Sequence, residues 1–192
     1  MRHPTWTMLP ASALATLGRV AKKGAPSIYL VRHAFAGHAD PTRWPDDSAR
    51  PLTPDGISRF REAARGLRRL APEVKLVLSS RYARAWETAE LLHEVTGWPE
   101  PRECTPLEAE QPASGALDVL REHQERPVAL VGHEPYLSRL ASLLCVGAEE
   151  TLRLQLKKGG VVAIDMEGEV KPETARLLWA VGPKILRPLG DA

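Results

Sequence analysis

Apolar residues follow two rhythms along the chain. Short runs rich in branched side chains, Ile28-Tyr29-Leu30-Val31, Val74-Lys75-Leu76-Val77-Leu78 and Pro127-Val128-Ala129-Leu130-Val131, have the length and composition of strands covered on both faces. Between the first two the spacing becomes helical, with Ile57, Phe60, Ala64, Leu67 and Leu70 recurring up to Pro72. Thr53-Pro54-Asp55-Gly56 opens that helix, Thr53 as N-cap and Pro54 at its first position. Further helices are expected over 81–96, stopped by Gly97 and Pro99, over 114–124 and over 136–145. A short strand is expected within 102–107, and strands at 160–166 and 174–181 are expected as antiparallel neighbours. The stretch 37–50, rich in Asp and Pro, reads as loop. Strands alternating with helices predict one α/β domain: a mostly parallel central sheet, helices on both faces and an antiparallel C-terminal edge.

Residues 27–192 form that domain, and residues 1–26 read as an extension with a short helix over 12–22. Its segment Met8–Ala15 loosely resembles a signal peptide, but Pro10 breaks the apolar run and Arg19, Lys22 and Lys23 stand where a cleavage site belongs. No stretch approaches the ~18 apolar residues of a membrane span, so no membrane partner is expected. A net charge of +2 without a Lys/Arg block argues against nucleic acid as a partner. Two cysteines, Cys104 and Cys145, make neither a disulfide framework nor a zinc site, and free thiols fit a cytoplasmic location.

Open parallel sheets bind ligands beyond the carboxyl ends of their strands. Three such ends carry chemistry here: Arg32-His33, Ser79-Ser80 with Arg84 one helical turn into the following helix, and Gly132-His133-Glu134-Pro135. Two histidines and two arginines are expected to meet along one rim. A phosphoryl group, negatively charged on its non-bridging oxygens, calls for fixed cations and oriented donors. Arg32 and Arg84 supply planar forks, and the helix starting near Arg81 supplies free N–H groups. His33, neutral at one nitrogen and held by a backbone carbonyl at the other, is the expected nucleophile. His133 is expected to donate to a phosphoryl oxygen.

These motifs resemble the histidine phosphatase (phosphoglycerate mutase-like) superfamily, and within it the short SixA-type phosphohistidine phosphatases. Leu30-Val31-Arg32-His33-Ala34 resembles the Arg-His-Gly/Ala signature, and Arg50-Pro51-Leu52-Thr53-Pro54-Asp55-Gly56 the Leu-Thr-x-x-Gly segment. Ser79–Thr88 resembles Ser-Ser-Pro-x-x-Arg-Ala-x-x-Thr, departing at Arg81 where proline is usual, and Val131–Pro135 resembles the second-histidine motif. Leu177–Pro183 is similar to the closing strand of short members. The likeness spans about residues 27–188. It implies phosphorylation of His33 during turnover, a substrate pocket of Arg32, Arg84, His133 and Ser80, and neither metal nor organic cofactor.

Larger relatives carry a general-acid glutamate on an inserted lid, for which the chain has little room between Trp98 and Ser114. Glu108 and Glu110 are the local candidates for that role. A leaving imidazole departs already protonated on its far nitrogen, whereas an alkoxide needs a positioned acid worth ~10²–10⁴-fold. The favoured substrate is therefore a phosphohistidine-bearing protein. A small phosphate ester, with a loop carboxylate as acid, is the second reading, and a non-catalytic phosphate-binding module the third. His33, His38 and Asp40 have a spacing that suits no common zinc pattern, and Glu134 reads as a helix-terminus carboxylate. Arg81 is expected to face solvent.

Overall fold

The computed structural model describes residues 27–166 and 168–191; the extension 1–26 and the helix expected within it lie outside the described residues. One sheet contains β1 (Ile28–Arg32), β2 (Leu76–Ser79), β3 (Pro101–Glu103), β4 (Val128–Gly132), β5 (Val161–Met166) and β6 (Ala175–Val181), in the order β3-β2-β4-β1-β5-β6. The four strands from β3 to β1 run parallel, and β5 and β6 continue the sheet in antiparallel pairs. Five helices are described: α1 (Pro54–Leu70), α2 (Ala83–Thr96), α3 (Gly115–Glu122), α4 (Tyr136–Val146) and α5 (Pro183–Asp191).

Strand side chains alternate between two cores, as the period of two requires. Ile28, Leu30, Leu76, Leu78, Val128 and Leu130 pack with Leu120, Leu137 and Leu140 of α3 and α4. Tyr29, Val31, Val77, Ala129 and Val131 pack on the other face with Phe60, Ala64, Ala85 and Leu92 of α1 and α2. Thr53 caps α1 as expected, its Oγ1 accepting from Gly56 N at 3.0 Å. Gly97, in the left-handed conformation at φ 78°, ends α2.

Four elements differ from the sequence reading. β2 begins at Leu76, exposed Lys75 forming a bend whose N–H still donates to Pro127 O at 2.7 Å. α2 begins at Ala83, with Tyr82 extended as its N-cap, so Arg81 lies in the preceding turn. The strand expected within 102–107 stops at Glu103 and gives way to a 3-10 turn, Thr105–Leu107, since Pro106 has no N–H for a ladder. Helix α5 was not among the expected elements; it runs through Pro188 and Gly190, which oppose a helix locally. It is held by tertiary contact: a Cβ on Gly66 of α1 would meet the Leu186 carbonyl oxygen at 1.9 Å.

Both cysteines are free, and burial pushes the Cys104 thiol up to about 11. Among the described residues no helix is long and apolar enough to cross a membrane.

Candidate active site

Sheet register brings the site together. Arg32 of β1 lies opposite Gly132 of β4, and Ser79 of β2 opposite Val131 of β4, so three strands end at one level. The next residues continue the ladder, His33 N donating to Gly132 O and Ser80 N to Val131 O, each at 3.0 Å. His33, His133 and Ser80 thus share one rim, with the two imidazole centroids 5.3 Å apart. Arg84, the second residue of α2 and so nearer its start than the spacing implied, joins them. Its guanidinium stacks over Tyr82 at 5.1 Å, and the Tyr82 ring lies 4.9 Å from His133. No side chain caps α2, which leaves its first N–H groups open beside this cluster.

The His33 ring is 5% exposed, and its Nδ1–H donates to Ala34 O at 2.7 Å, leaving the Nε2 lone pair unengaged. Burial pushes its pKa down to about 2, with His133, Arg84 and Arg32 adding to the shift against the opposing Ala34 bond. Charging an imidazole there would place a cation out of water between cations. His133, 2% exposed, has Nε2 2.9 Å from Ser80 Oγ, and burial with Arg84 and Arg32 takes it down to about 3. Arg32 donates from Nη1 to Leu156 O at 2.8 Å, and Arg84 from Nη1 to Asp47 O at 2.7 Å. Arg32 Nε, Arg84 Nε and His133 Nδ1 are buried without a hydrogen-bond partner in the protein. Unmatched buried donors are costly, about 1–3 kcal/mol each, and three around one neutral imidazole suit a polyoxygen anion.

Two further residues of this cluster, Asp47 and Arg50, were given no role by the sequence reading, and a third, Lys158, was read with Lys157 as a solvated turn that could help attract an anionic substrate. The Asp47 carboxylate lies 2.7 Å from Arg50 Nε and 3.2 Å from Arg84 Nη2, and the Arg50 bond holds its pKa below the usual carboxylate range. Buried Arg50 also donates from Nη1 to Ala36 O at 3.0 Å and Gly37 O at 3.3 Å. Lys158 Nζ meets the same Gly37 carbonyl at 3.2 Å. Arg50 opened the Leu-Thr-x-x-Gly segment, which was the available signal; Asp47 sat unmarked among the polar residues of 37–50. Glu108 is drawn instead to Arg81, at 3.0 Å from its Nε, and Glu110 is exposed. The structure brings neither into hydrogen-bond contact with His33, Arg32, Arg84 or His133.

The remaining motif residues hold the segment after His33 in place. Thr88 Oγ1 accepts from Ala34 N at 2.9 Å, Glu87 accepts from Leu52 N at 2.8 Å, and Thr53 N donates to Phe35 O at 3.0 Å. Gly56 packs so closely that a Cβ there would meet Phe35 O at 2.0 Å. His38 and Asp40 lie outside the cluster; Asp40 instead accepts from Thr42 N at 3.0 Å and Arg43 N at 3.2 Å.

Residues 28–110 match the family model of the histidine phosphatase superfamily, branch 1. An uncharacterized protein from a Picosynechococcus species is 31% identical over 140 residues, 71% of this chain and 83% of that protein. The structure of the protein histidine phosphatase SixA complexed with tungstate superposes with a TM-score of 0.70 at 21% identity, covering 83% of this chain and 99% of SixA. A mycobacterial glucosyl-3-phosphoglycerate phosphatase has the same fold, with a TM-score of 0.59 at 19% identity over 81% of this chain and 98% of that one. By the sequence match over residues 28–110 and by fold, this chain belongs to the histidine phosphatase superfamily, and that membership supports a hydrolase acting on phosphate monoesters.

Proposed function

We propose that the chain hydrolyses phosphohistidine on a protein, passing the phosphoryl group through His33. The observation carrying this reading is the His33 ring itself: Nδ1–H is committed to the Ala34 carbonyl, and Nε2 keeps its lone pair in a buried, cationic setting. In the first step the Nε2–P bond forms while the bond to the leaving nitrogen breaks. The leaving imidazole carries away the electron pair and, already holding a proton on its far nitrogen, departs neutral. Arg32 and Arg84 hold the non-bridging oxygens, and Ser80 donating to His133 Nε2 puts the other ring hydrogen on Nδ1, aimed at the same group. A water then attacks phosphorus, the electron pair returns to Nε2, and the water proton leaves with the phosphate.

The choice of substrate rests on acid help. Only β3 and a 3-10 turn lie between Trp98 and Glu108, and Glu108 is engaged by Arg81. A good leaving group suits such a site, whereas an alkoxide would forfeit ~10²–10⁴-fold. The SixA relative, named a protein histidine phosphatase, supports the same substrate class.

The test compares a phosphohistidine peptide, an aryl phosphate and alkyl phosphates on wild type and His33→Ala. Wild type should prefer the first two, His33→Ala should turn over none, and chelators should leave wild-type rates intact. Equal or higher kcat/KM on alkyl esters, lost in Glu108→Gln or Glu110→Gln, would overturn the protein substrate. Binding of phosphate or vanadate without turnover of any substrate would instead mark a phosphate-binding module.

A further inference from the structure

A cleft of about 370 Å³ opens beside the phosphoryl site, between the N-terminal turns of α1 and α5. It begins at Ala34 and Phe35, directly after His33, and four cations line it: Arg59, Lys158, Lys184 and Arg187. Its lone carboxylate, Asp55, is already paired with Arg59 at 2.8 Å. Among the described residues no carboxylate is in ion-pair contact with Lys158, Lys184 or Arg187. Lys158 joins the two sites, because its ammonium shares the Gly37 carbonyl with Arg50. Burial, then Arg32, Arg50 and Arg84, holds its pKa below the usual lysine range, as expected for a cation among cations.

The cleft is also bordered by apolar surface. The described residues expose three large hydrophobic side chains, Phe35, Val146 and Ile185. Phe35, 39% exposed, lines this cleft, and the Lys158 ammonium lies over its ring at 4.9 Å. An apolar anchor within a rim of one charge sign is the character of a protein-recognition surface. A small phosphate ester needs no such anchor.

We infer that this cleft receives an acidic segment of the protein substrate, its Glu or Asp side chains on Lys158, Lys184 and Arg187 while the phosphorylated side chain reaches His33. This inference rests on the protein-substrate reading above. Charge complementarity names the occupant: three cations with no carboxylate partner among the described residues, beside a cluster suited to an anion.

Two measurements on the full chain separate the claims. In the first, a fluorescein-labelled glutamate-rich peptide without phosphate is titrated by anisotropy. Wild type should bind it in a salt-sensitive way, and Lys184→Glu/Arg187→Glu should weaken binding by about tenfold or more. The charge-matched control Arg68→Glu/Arg69→Glu, at the far end of α1, should bind like wild type. In the second, phosphohistidine peptides with glutamate or alanine flanks are compared by kcat/KM. The acidic flank should be preferred, and Lys184→Glu/Arg187→Glu should erase that preference while aryl phosphate turnover stays at the wild-type rate. Indifference of wild type to the acidic peptide in the titration, or equal loss in the control, would overturn the cleft as a docking site. Binding of the acidic peptide together with failure to hydrolyse either phosphohistidine peptide would leave the cleft standing and sink the phosphohistidine reading. A preference for small bisphosphates over monophosphates, without peptide binding, would overturn the assigned occupant.

Discussion

Protonating His33 or His133 means setting an imidazolium beside two guanidinium groups and away from water. Both folded-state values, about 2 and about 3, lie below the 6.5 of a free histidine. The unfolded chain therefore takes up protons first, and stability falls as pH drops below about 6.5, by up to ~1.4 kcal/mol per pH unit per histidine. Between pH 6.5 and 5 carboxylates have barely begun to titrate, so the histidines dominate that window. Urea midpoints should drop from pH 7 to pH 5, and His133→Gln should flatten the drop; a level midpoint in wild type would contradict the buried, cationic setting. At this scale legibility depended on the chain path. Arg32 and His33 directly follow an apolar run, so their place at a strand end could be read. Asp47 and Arg50 reach the same cluster from a polar loop, and no spacing rule says where a loop folds back.

Helices α1 and α5 show what a glycine does to an element. Gly56 lies against the Phe35 carbonyl and Gly66 against that of Leu186, both too close for a Cβ. Gly56→Ala should push α1 away from the segment that follows His33. Gly66→Ala should push α5 off α1, far from the imidazoles. Each is expected to cost about 1–3 kcal/mol in chemical denaturation. Only Gly56→Ala should also lower kcat on an aryl phosphate while the variant remains folded; equal kcat losses in the two would deny Gly56 its positioning part. The Gly56 motif was visible as a word in the sequence, but its reason, a carbonyl 21 residues upstream, was not. Helix α5 stayed hidden for a related reason. Its proline and glycine oppose a helix locally, and contact with α1 overrides them, with Leu186 fully buried.

The architecture of the whole molecule was legible because its central strands are buried on both faces and so read as unbroken apolar runs. The edges were less so: β3 is three residues long, and a proline soon after it converts the chain to a 3-10 turn. The sheet order predicts how the molecule opens. Amide hydrogens of β1 and β4, the two central strands of the six, should exchange slowest, and those of edge strand β3 and of 38–50 fastest. Early exchange in β4 relative to β3 would contradict the order given. Since His33 and His133 follow directly from β1 and β4, the chemistry is anchored to the last part of the sheet to let go. Fraying at either rim strips away periphery and leaves the paired imidazoles in register, so on heating the two rings should part only in the final cooperative collapse, while opening of 38–50, which carries Asp47 and Arg50, should lower turnover before it.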